Sequence, residues 1–138
     1  MDATEFPRAF PAVPGQVPGA RDDLDTLFAS LAPLPYEVAL FVYLDPERRI
    51  LGTRHCRSRL RGEVSIALRE VVIDALAFDA ASIAMAHNHP SGDPTPSDAD
   101  YSVTRRLART LDAIGVRLID HVIVSANGRE SFRARGLL

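Results

Sequence analysis

Hydrophobic residues along the chain alternate between short unbroken runs and segments with helical spacing. Val38–Leu44 is almost continuously apolar, which predicts a strand that is buried on both faces. A turn over 45–48 and a second strand over 49–55 would complete a hairpin, with a short strand near 63–65. Over 66–80 the apolar positions recur every three or four residues, which predicts an amphipathic helix.

The second half of the chain repeats this alternation of strand and helix. Residues 83–86 form a short apolar run that predicts a central strand, and 97–114 has the periodicity of a helix with Gly115 as its stop. A further strand over 116–124 and a hairpin to a last short strand near 131–132 follow. This order of elements predicts an α/β domain of three layers, α/β/α, in which one mixed central sheet lies between helices.

The N-terminal segment lacks any such periodicity. Residues 1–20 contain four prolines and two glycines, which predicts an extended or mobile arm. A short helix capped by Asp22 or Asp23 follows, and the next prolines end it. We therefore expect a Pro-rich arm with a short helix over 1–35 and a folded domain over 36–138.

Composition limits the classes of protein to which the chain can belong. With 138 residues, of which 46% are hydrophobic, it can bury one core and is most simply a single soluble domain. It has no apolar run of the roughly 18 residues that a membrane span needs and no signal-peptide segment, so we expect a cytoplasmic protein with no membrane partner. Phe6 and Phe10 in the arm are candidates for a homodimer contact.

Charge gives only a local signal. The formal net charge is -2, and all sixteen basic residues are arginine. Six of these arginines lie between Arg48 and Arg61, which favours a solvated sheet edge that is protected against aggregation. The alternative is a small basic patch for an acidic partner or a nucleic acid backbone.

The residues that carry chemistry begin where an apolar run stops at 86. On an extended backbone His87 and His89 point to the same side, so both imidazoles can bind one metal ion. The following loop over 90–96 is rich in proline, and Ser97 then predicts the N-cap of a helix whose first turn brings Asp100 back toward the histidines. Two imidazoles and one carboxylate leave zinc with a fourth position open for water, as in catalytic sites.

Cysteine usage supports this ligand set. The single cysteine, Cys56, excludes an internal disulfide and the cysteine-based zinc patterns, so His and carboxylate side chains must hold any metal here. Cys56 itself is typical of a small buried or edge residue. His121 lies inside an apolar strand and could be a further ligand, but its position beside Asp120 favours a hydrogen-bonded core histidine.

Hydrolysis also needs a base that is not itself a metal ligand. Glu37 is the best candidate, because it is a lone acid at the start of an apolar strand. Ser97 has two candidate roles, since its hydroxyl can cap the helix or donate to a developing oxyanion.

At these residues the chain resembles a known family. The pattern His87-x-His89 followed by Ser97-x-x-Asp100 matches the JAMM (MPN+) metalloprotease motif at every position. Over about 36–138 the chain resembles, more narrowly, the bacterial RadC family. Four segments carry that resemblance: His87-Asn-His-Pro-Ser-Gly-Asp-Pro-Thr-Pro-Ser-Asp98, Ala67-Leu-Arg-Glu-Val71, Asp120-His-Val-Ile-Val124 and Glu130-Ser-Phe132.

The resemblance implies a cytidine-deaminase-like fold with Zn²⁺ bound by His87, His89 and Asp100. It also implies Glu37 as general acid and base and Ser97 as the residue that steadies the intermediate. The match of Glu37 is looser than that of the histidine stretch, and Glu70 is a competing candidate for the base.

Relatives with the JAMM motif hydrolyse amide or isopeptide bonds, so a zinc-dependent hydrolase of a peptide or protein substrate is the first hypothesis. The alternatives are a DNA-associated protein, for repair or as a metal-dependent nuclease, and a metal-bound scaffold without catalysis. RadC proteins often carry a helical domain before the JAMM domain. Here about 35 Pro-rich residues precede the resemblance, which weakens the expected link to DNA.

Overall fold

The computed structural model describes residues 10–11, 20–57 and 63–138, with side chains over 24–57 and 67–138. The described strands are β1 (Phe10–Pro11), β2 (Val38–Leu44), β3 (Ile50–Arg57), β4 (Ser82–Asn88), β5 (Arg117–Ser125) and β6 (Gly128–Ser131). The described helices are α1 (Ala20–Ala29), α2 (Glu63–Ala77) and α3 (Asp98–Ala113).

The strands form one mixed sheet. Its order is β1-β3-β2-β4-β5-β6, in which β4 and β5 are parallel and every other neighbouring pair is antiparallel. The parallel pair is joined by α3, as a crossover between parallel strands requires. The predicted α/β fold with a mixed central sheet is confirmed.

Two hydrophobic cores lie on opposite faces of the sheet, because successive strand residues point to opposite sides. On one face Phe41 and Tyr43 belong to a core that also contains Val71 from α2 and Leu107 from α3. On the other face the strands pack against α1, through Phe28, and against the turn that follows α1. The sheet is therefore covered on both sides, which gives the three layers that the sequence predicts.

The structure corrects three of the predicted boundaries. The strand predicted near 63–65 is wrong, because α2 begins at Glu63. Val64, Leu68 and Val71 are spaced by four and three residues, so the helical periodicity starts before 66. The last strand, β6, ends at Ser131 and does not include residue 132, to which the predicted strand extends. Helix α1 begins at Ala20, before the predicted caps Asp22 and Asp23.

The arginine-rich hairpin is not a uniformly solvated edge. Arg54 is buried, and its guanidinium contacts Glu70 Oε2 at 2.7 Å and Asp74 Oδ1 at 2.9 Å. Asp74 also accepts a hydrogen bond of 2.7 Å from the Tyr43 hydroxyl. We call these four residues the Arg54 cluster. The Arg54 guanidinium does not contribute to a basic patch, because it pairs with the carboxylates of Glu70 and Asp74 on α2.

The remaining arginines of the segment differ in their surroundings. Arg48 and Arg49 are exposed in the hairpin turn, and the Arg57 guanidinium lies 4.0 Å from the centre of the Tyr36 ring. Arg59 and Arg61 lie outside the described residues. A nucleic-acid contact along this segment stays a prediction, now without Arg54.

The N-terminal predictions are only partly accessible. Phe6 and the Phe10 side chain lie outside the described residues, so the homodimer contact stays a prediction, as does the domain boundary at 35/36. The short strand β1 pairs with β3, with Phe10 opposite Thr53. Within the described ranges, no helix combines the length and hydrophobicity needed to cross a membrane.

Candidate metal centre

The register of β2 against β4 brings Glu37 to the histidines. Ala39 lies opposite His87 in this antiparallel pair. Because the strands are antiparallel, Glu37, two residues before Ala39, comes opposite His89, two residues after His87, on the same face of the sheet. The Glu37 Oε1 atom lies 3.7 Å from His87 Nε2. Strand pairing therefore supplies the acid that local sequence could not place.

His89 lies just beyond β4 and is held from both sides. Its backbone N–H donates to the Val124 carbonyl at 2.9 Å, and its ring Nδ1 lies 2.8 Å from the Asp93 carbonyl. A carbonyl only accepts, so Nδ1 carries the proton and the lone pair of neutral His89 lies on Nε2. The loop therefore orients His89 for metal binding through Nε2.

The loop after His89 requires glycine at one position. Gly92 has φ +91°, and a Cβ there would lie 2.9 Å from the Asn127 Nδ2 atom. The Gly92 carbonyl accepts hydrogen bonds of 3.0 Å from both Ser125 and Asn127. A left-handed conformation and close packing against the β5–β6 turn together exclude larger residues without strain.

Asp100 is positioned by the N-terminus of α3. The predicted N-cap is confirmed: the Ser97 hydroxyl accepts from the Asp100 backbone N–H at 3.1 Å, and the Ser97 N–H donates to Asp100 Oδ2 at 2.8 Å. This reciprocal capping box fixes the carboxylate. Its two oxygens each lie 3.1 Å from a histidine Nε2, one from His87 and one from His89.

The surroundings also keep Asp100 ionised. Burial by itself raises the pKa of Asp100, but its contact with His87 and the hydrogen bonds from Ser97 outweigh that effect. The pKa of Asp100 therefore lies well below its ordinary value of 3.8. These contacts favour the ionised carboxylate of Asp100.

Glu37, His87, His89 and Asp100 form what we call the donor cluster. One donor atom from each lies within 4.8 Å of those of the other three. The side chains of His87, Asp100 and His89 are 5%, 13% and 15% exposed, whereas that of Glu37 is 44% exposed. Three donors are thus largely buried, and the fourth, Glu37, lies at the solvent-exposed edge of the cluster.

The chemistry of this donor set fits a divalent metal ion. The Nε2 atoms of His87 and His89 are only 2.9 Å apart, and two carboxylates flank them. In the part of the chain that the structure describes, no arginine forms an ion pair with Glu37 or Asp100. Two carboxylates and two imidazole nitrogens without a permanent cation can hold a metal ion, which would neutralise them.

His121 is a hydrogen-bonded core histidine, as expected, but its partners are not the expected ones. It is fully buried, with Nε2 2.7 Å from His87 Nδ1 and Nδ1 2.5 Å from the Thr104 hydroxyl. Asp120 bonds to the His121 backbone N–H instead. Burial lowers the pKa of His121 well below 6.5, so its ring is neutral. It lies behind the donor cluster and not within it.

Glu70, the competing candidate for the base, lies elsewhere. Its carboxylate pairs with Arg54 and is not a member of the donor cluster. Its place on α2 is therefore in the Arg54 cluster.

The pattern of residue types missed two contributors. Asn88 is fully buried on the opposite face of β4, where its Oδ1 accepts from the Val38 N–H at 2.7 Å and its Nδ2 donates to the Tyr36 carbonyl at 2.9 Å. These bonds hold the backbone of the residues on either side of Glu37. A polar residue between two histidines at a buried position signals such partners. Thr104, inside the apolar stripe of α3, gives a much weaker signal.

Comparison with known proteins identifies the family. The family model described as the RadC-like JAB domain matches residues 19–137. The chain belongs to the RadC family. A UPF0758 protein of Cupriavidus pinatubonensis is 43% identical over 109 residues, which cover 79% of this chain and 48% of the relative. A UPF0758 protein of Bordetella avium is 39% identical over 109 residues, with the same two coverages.

A third relative in the RadC family, a UPF0758 protein of Cupriavidus taiwanensis, is 46% identical over 98 residues, or 71% of this chain and 43% of the relative. The chain thus spans about half the length of the curated relatives it matches. The match supports a JAB-type domain with a candidate metal centre.

Proposed function

We propose that the protein is a zinc-dependent hydrolase of the JAMM type, which cleaves a peptide or isopeptide bond in a peptide or protein substrate. The donor cluster is the observation that carries this proposal, because it joins one buried and one partly buried imidazole and a partly buried carboxylate to a more exposed acid. Membership in the RadC-like JAB family supports the same reaction class.

Zinc is the metal that this donor set favours. His87, His89 and Asp100 supply two nitrogens and one oxygen, the composition of many catalytic zinc sites with one position left for water or substrate. When bound, zinc lowers the pKa of water and polarises the substrate carbonyl. Glu37, the most exposed of the four side chains, is left free for proton transfer.

Glu37 has the position that a general base requires. Its carboxylate reaches the donor cluster from β2 while remaining partly open to solvent. From there it takes a proton from the attacking water and returns it to the nitrogen of the leaving amine as the bond to carbon breaks. The hydrogen bonds of Asn88 to both sides of Glu37 hold the backbone during this transfer.

Ser97 contributes through its hydroxyl. The oxygen accepts the Asp100 N–H as the helix cap, which leaves the hydroxyl hydrogen to donate to another group. The residue is exposed beside Asp100. In the proposed reaction Ser97 donates to the substrate oxygen on which negative charge develops.

Metal analysis and one conservative substitution test the proposal. Wild type is purified without added metal, reconstituted with zinc and incubated with a pool of internally quenched peptides and lysine-linked isopeptides, and cleaved bonds are identified by mass spectrometry. Glu37→Gln should keep stoichiometric zinc but lose activity by about 10²- to 10⁴-fold, the usual contribution of a general base. Glu47→Gln, an exposed acid in the hairpin turn, is the matched control.

The outcomes separate the mechanism from its alternatives. Full activity in Glu37→Gln would show that the assigned base is wrong. Stoichiometric zinc in wild type with no cleavage of any probe would favour the metal-bound scaffold.

A nucleic-acid function is the second candidate, and one surface favours it. Arg105, Arg106 and Arg109 are exposed on α3 and line a shallow concavity with Ser102 and Thr110. Binding of a fluorescent DNA duplex should then weaken steeply with rising salt, because released counterions drive such association. Arg105→Ala combined with Arg109→Ala should reduce the slope, and absence of binding at low salt would exclude this candidate.

A further inference from the structure

A continuous chain of hydrogen bonds runs from α3 to the back of His87. The Thr104 hydroxyl donates to the backbone carbonyl of Asp100 at 2.7 Å and lies 2.5 Å from His121 Nδ1. His121 Nε2 lies 2.7 Å from His87 Nδ1. All three side chains are buried, so water does not compete for these bonds.

The donors and acceptors of this chain have only one consistent arrangement. The Asp100 carbonyl can only accept, so the single hydroxyl hydrogen of Thr104 is directed to it. The Thr104 oxygen then accepts from His121 Nδ1–H. Full burial of His121 favours the uncharged ring, which has a single proton; with that proton on Nδ1, Nε2 carries the lone pair.

The last link concerns His87. Since His121 Nε2 accepts, His87 Nδ1 must donate to it. Nδ1–H is the less favoured tautomer of a free neutral imidazole, so this contact holds His87 against its intrinsic preference.

We propose that Thr104 and His121 are positioning residues that hold His87 with its proton on Nδ1 and its Nε2 directed at the metal. The inference rests on the metal site of the proposed function. His89 needs no comparable device, because its Nδ1 faces a backbone carbonyl that can only accept. A histidine partner can donate or accept, so His121 defines the tautomer of His87 only when Thr104 defines that of His121.

Packing keeps the His121 ring in the required orientation. The buried Phe132 ring is stacked on it, with centroids 4.6 Å apart and an interplanar angle of 11°. The Phe132 backbone N–H also donates to the His121 carbonyl at 2.9 Å. The position of the His121 ring is thus fixed by a stacked face and two hydrogen bonds. Only the nitrogen that carries the ring proton can still vary.

Thr104→Val tests the proposal with a nearly isosteric change, and Thr104→Ser, which keeps the hydroxyl, is its matched control. Nitrogen-15 NMR of the zinc-free proteins reports which ring nitrogen of His87 carries the proton, and competition with a chromophoric chelator gives zinc affinity. We expect Nδ1–H on His87 in wild type and Thr104→Ser. In Thr104→Val we expect loss of this uniform Nδ1–H state and zinc binding that is about 10- to 100-fold weaker, as for other outer partners of metal ligands.

A second pair of variants separates positioning from packing. His121→Gln retains an oxygen that can accept from His87 Nδ1 and should bind zinc more tightly than His121→Leu, which cannot. Urea unfolding of each zinc-free variant shows whether a loss of affinity follows a loss of stability. A purely structural role would weaken folding without changing the His87 tautomer in the folded protein.

Two results would overturn the inference: His87 Nε2–H as the only tautomer of the folded neutral ring in wild type, or equal zinc affinity in wild type and Thr104→Val. The NMR measurement needs neither zinc nor substrate. If wild type bound no zinc, the proposed function would fail, and the tautomers of Thr104→Ser and Thr104→Val would still decide whether Thr104 sets the protonation of His87.

Discussion

The Arg54 cluster and the donor cluster lie on the same face of one sheet and differ in how their charges are satisfied. In the Arg54 cluster each carboxylate contacts the guanidinium, and the Tyr43 hydroxyl adds a hydrogen bond to Asp74. In the donor cluster two carboxylates surround two imidazoles, and no member carries a permanent positive charge.

This difference separates a structural ion network from a binding site. Contact with Asp74 outweighs the effect of burial and raises the pKa of Arg54, so its charge is permanent. The donor cluster has no equivalent, and a positive charge must come from bound protons or a metal ion. The charges of the first cluster are balanced within the chain, whereas the second could hold an additional cation.

The largest expected effect is on the Arg54 cluster. Arg54→Met leaves the buried carboxylate of Asp74 without its cation and should lower the free energy of unfolding by about 3–5 kcal/mol, the usual cost of removing one partner of a buried pair. Urea unfolding in a chelator measures this change. Arg129→Ala removes an exposed pair with Asp25 and should cost at most about 1 kcal/mol. Equal costs would abolish the distinction between buried network and surface pair.

The second effect concerns addition and removal of the metal. Zinc at a hundredfold excess over its Kd should stabilise wild type by about 2.7 kcal/mol, because it binds only the folded state. A chelator should reverse the increase in Tm. His89→Ala should lose this dependence on zinc, whereas Arg129→Ala should retain it. A Tm that is insensitive to zinc and chelator in wild type would contradict an incomplete donor cluster.

The smallest effect is expected at Asn88, which supports the donor cluster from the other face of β4. Asn88→Ala removes bonds on both sides of Glu37 and should cost about 1–3 kcal/mol, because buried backbone groups lose their partners. Cleavage should fall while zinc affinity stays within about threefold, since the metal-binding side chains keep their own contacts. Ser30→Ala, at an exposed hydrogen bond, is the control. A parallel loss of zinc affinity would show that Asn88 supports the metal ligands and not Glu37 alone.

Much of the donor cluster could be predicted because three of its members lie within fourteen residues of chain. The alternation of a strand puts His87 and His89 on one side, and a helix cap directs Asp100 back to them. Glu37 is fifty residues away from His87, and its approach depends on the register of β2 against β4. The local pattern and the resemblance to a family both favoured Glu37, with Glu70 as a competing candidate for the base.

Residues with the same sequence signal differ in burial and in contacts in the tertiary structure. Arg54 and Arg49 both belong to the arginine-rich segment, yet Arg54 is buried because Asp74 of α2 lies above it, whereas Arg49 is exposed. His121 was recognised as a core histidine, but its contact with His87 depends on the parallel pairing of β4 with β5.

By itself the sequence determined the features that depend on local backbone period: the order of the main strands and helices, the paired histidines and the capped helix. Composition alone excluded cysteine-based metal sites. Tertiary structure decided which distant residues meet, namely Glu37 with the histidines, His121 with His87, and Arg54 with Asp74. The physical reason is that side-chain direction within an element follows from its own geometry, whereas register and layer packing are set by the burial of the whole sheet.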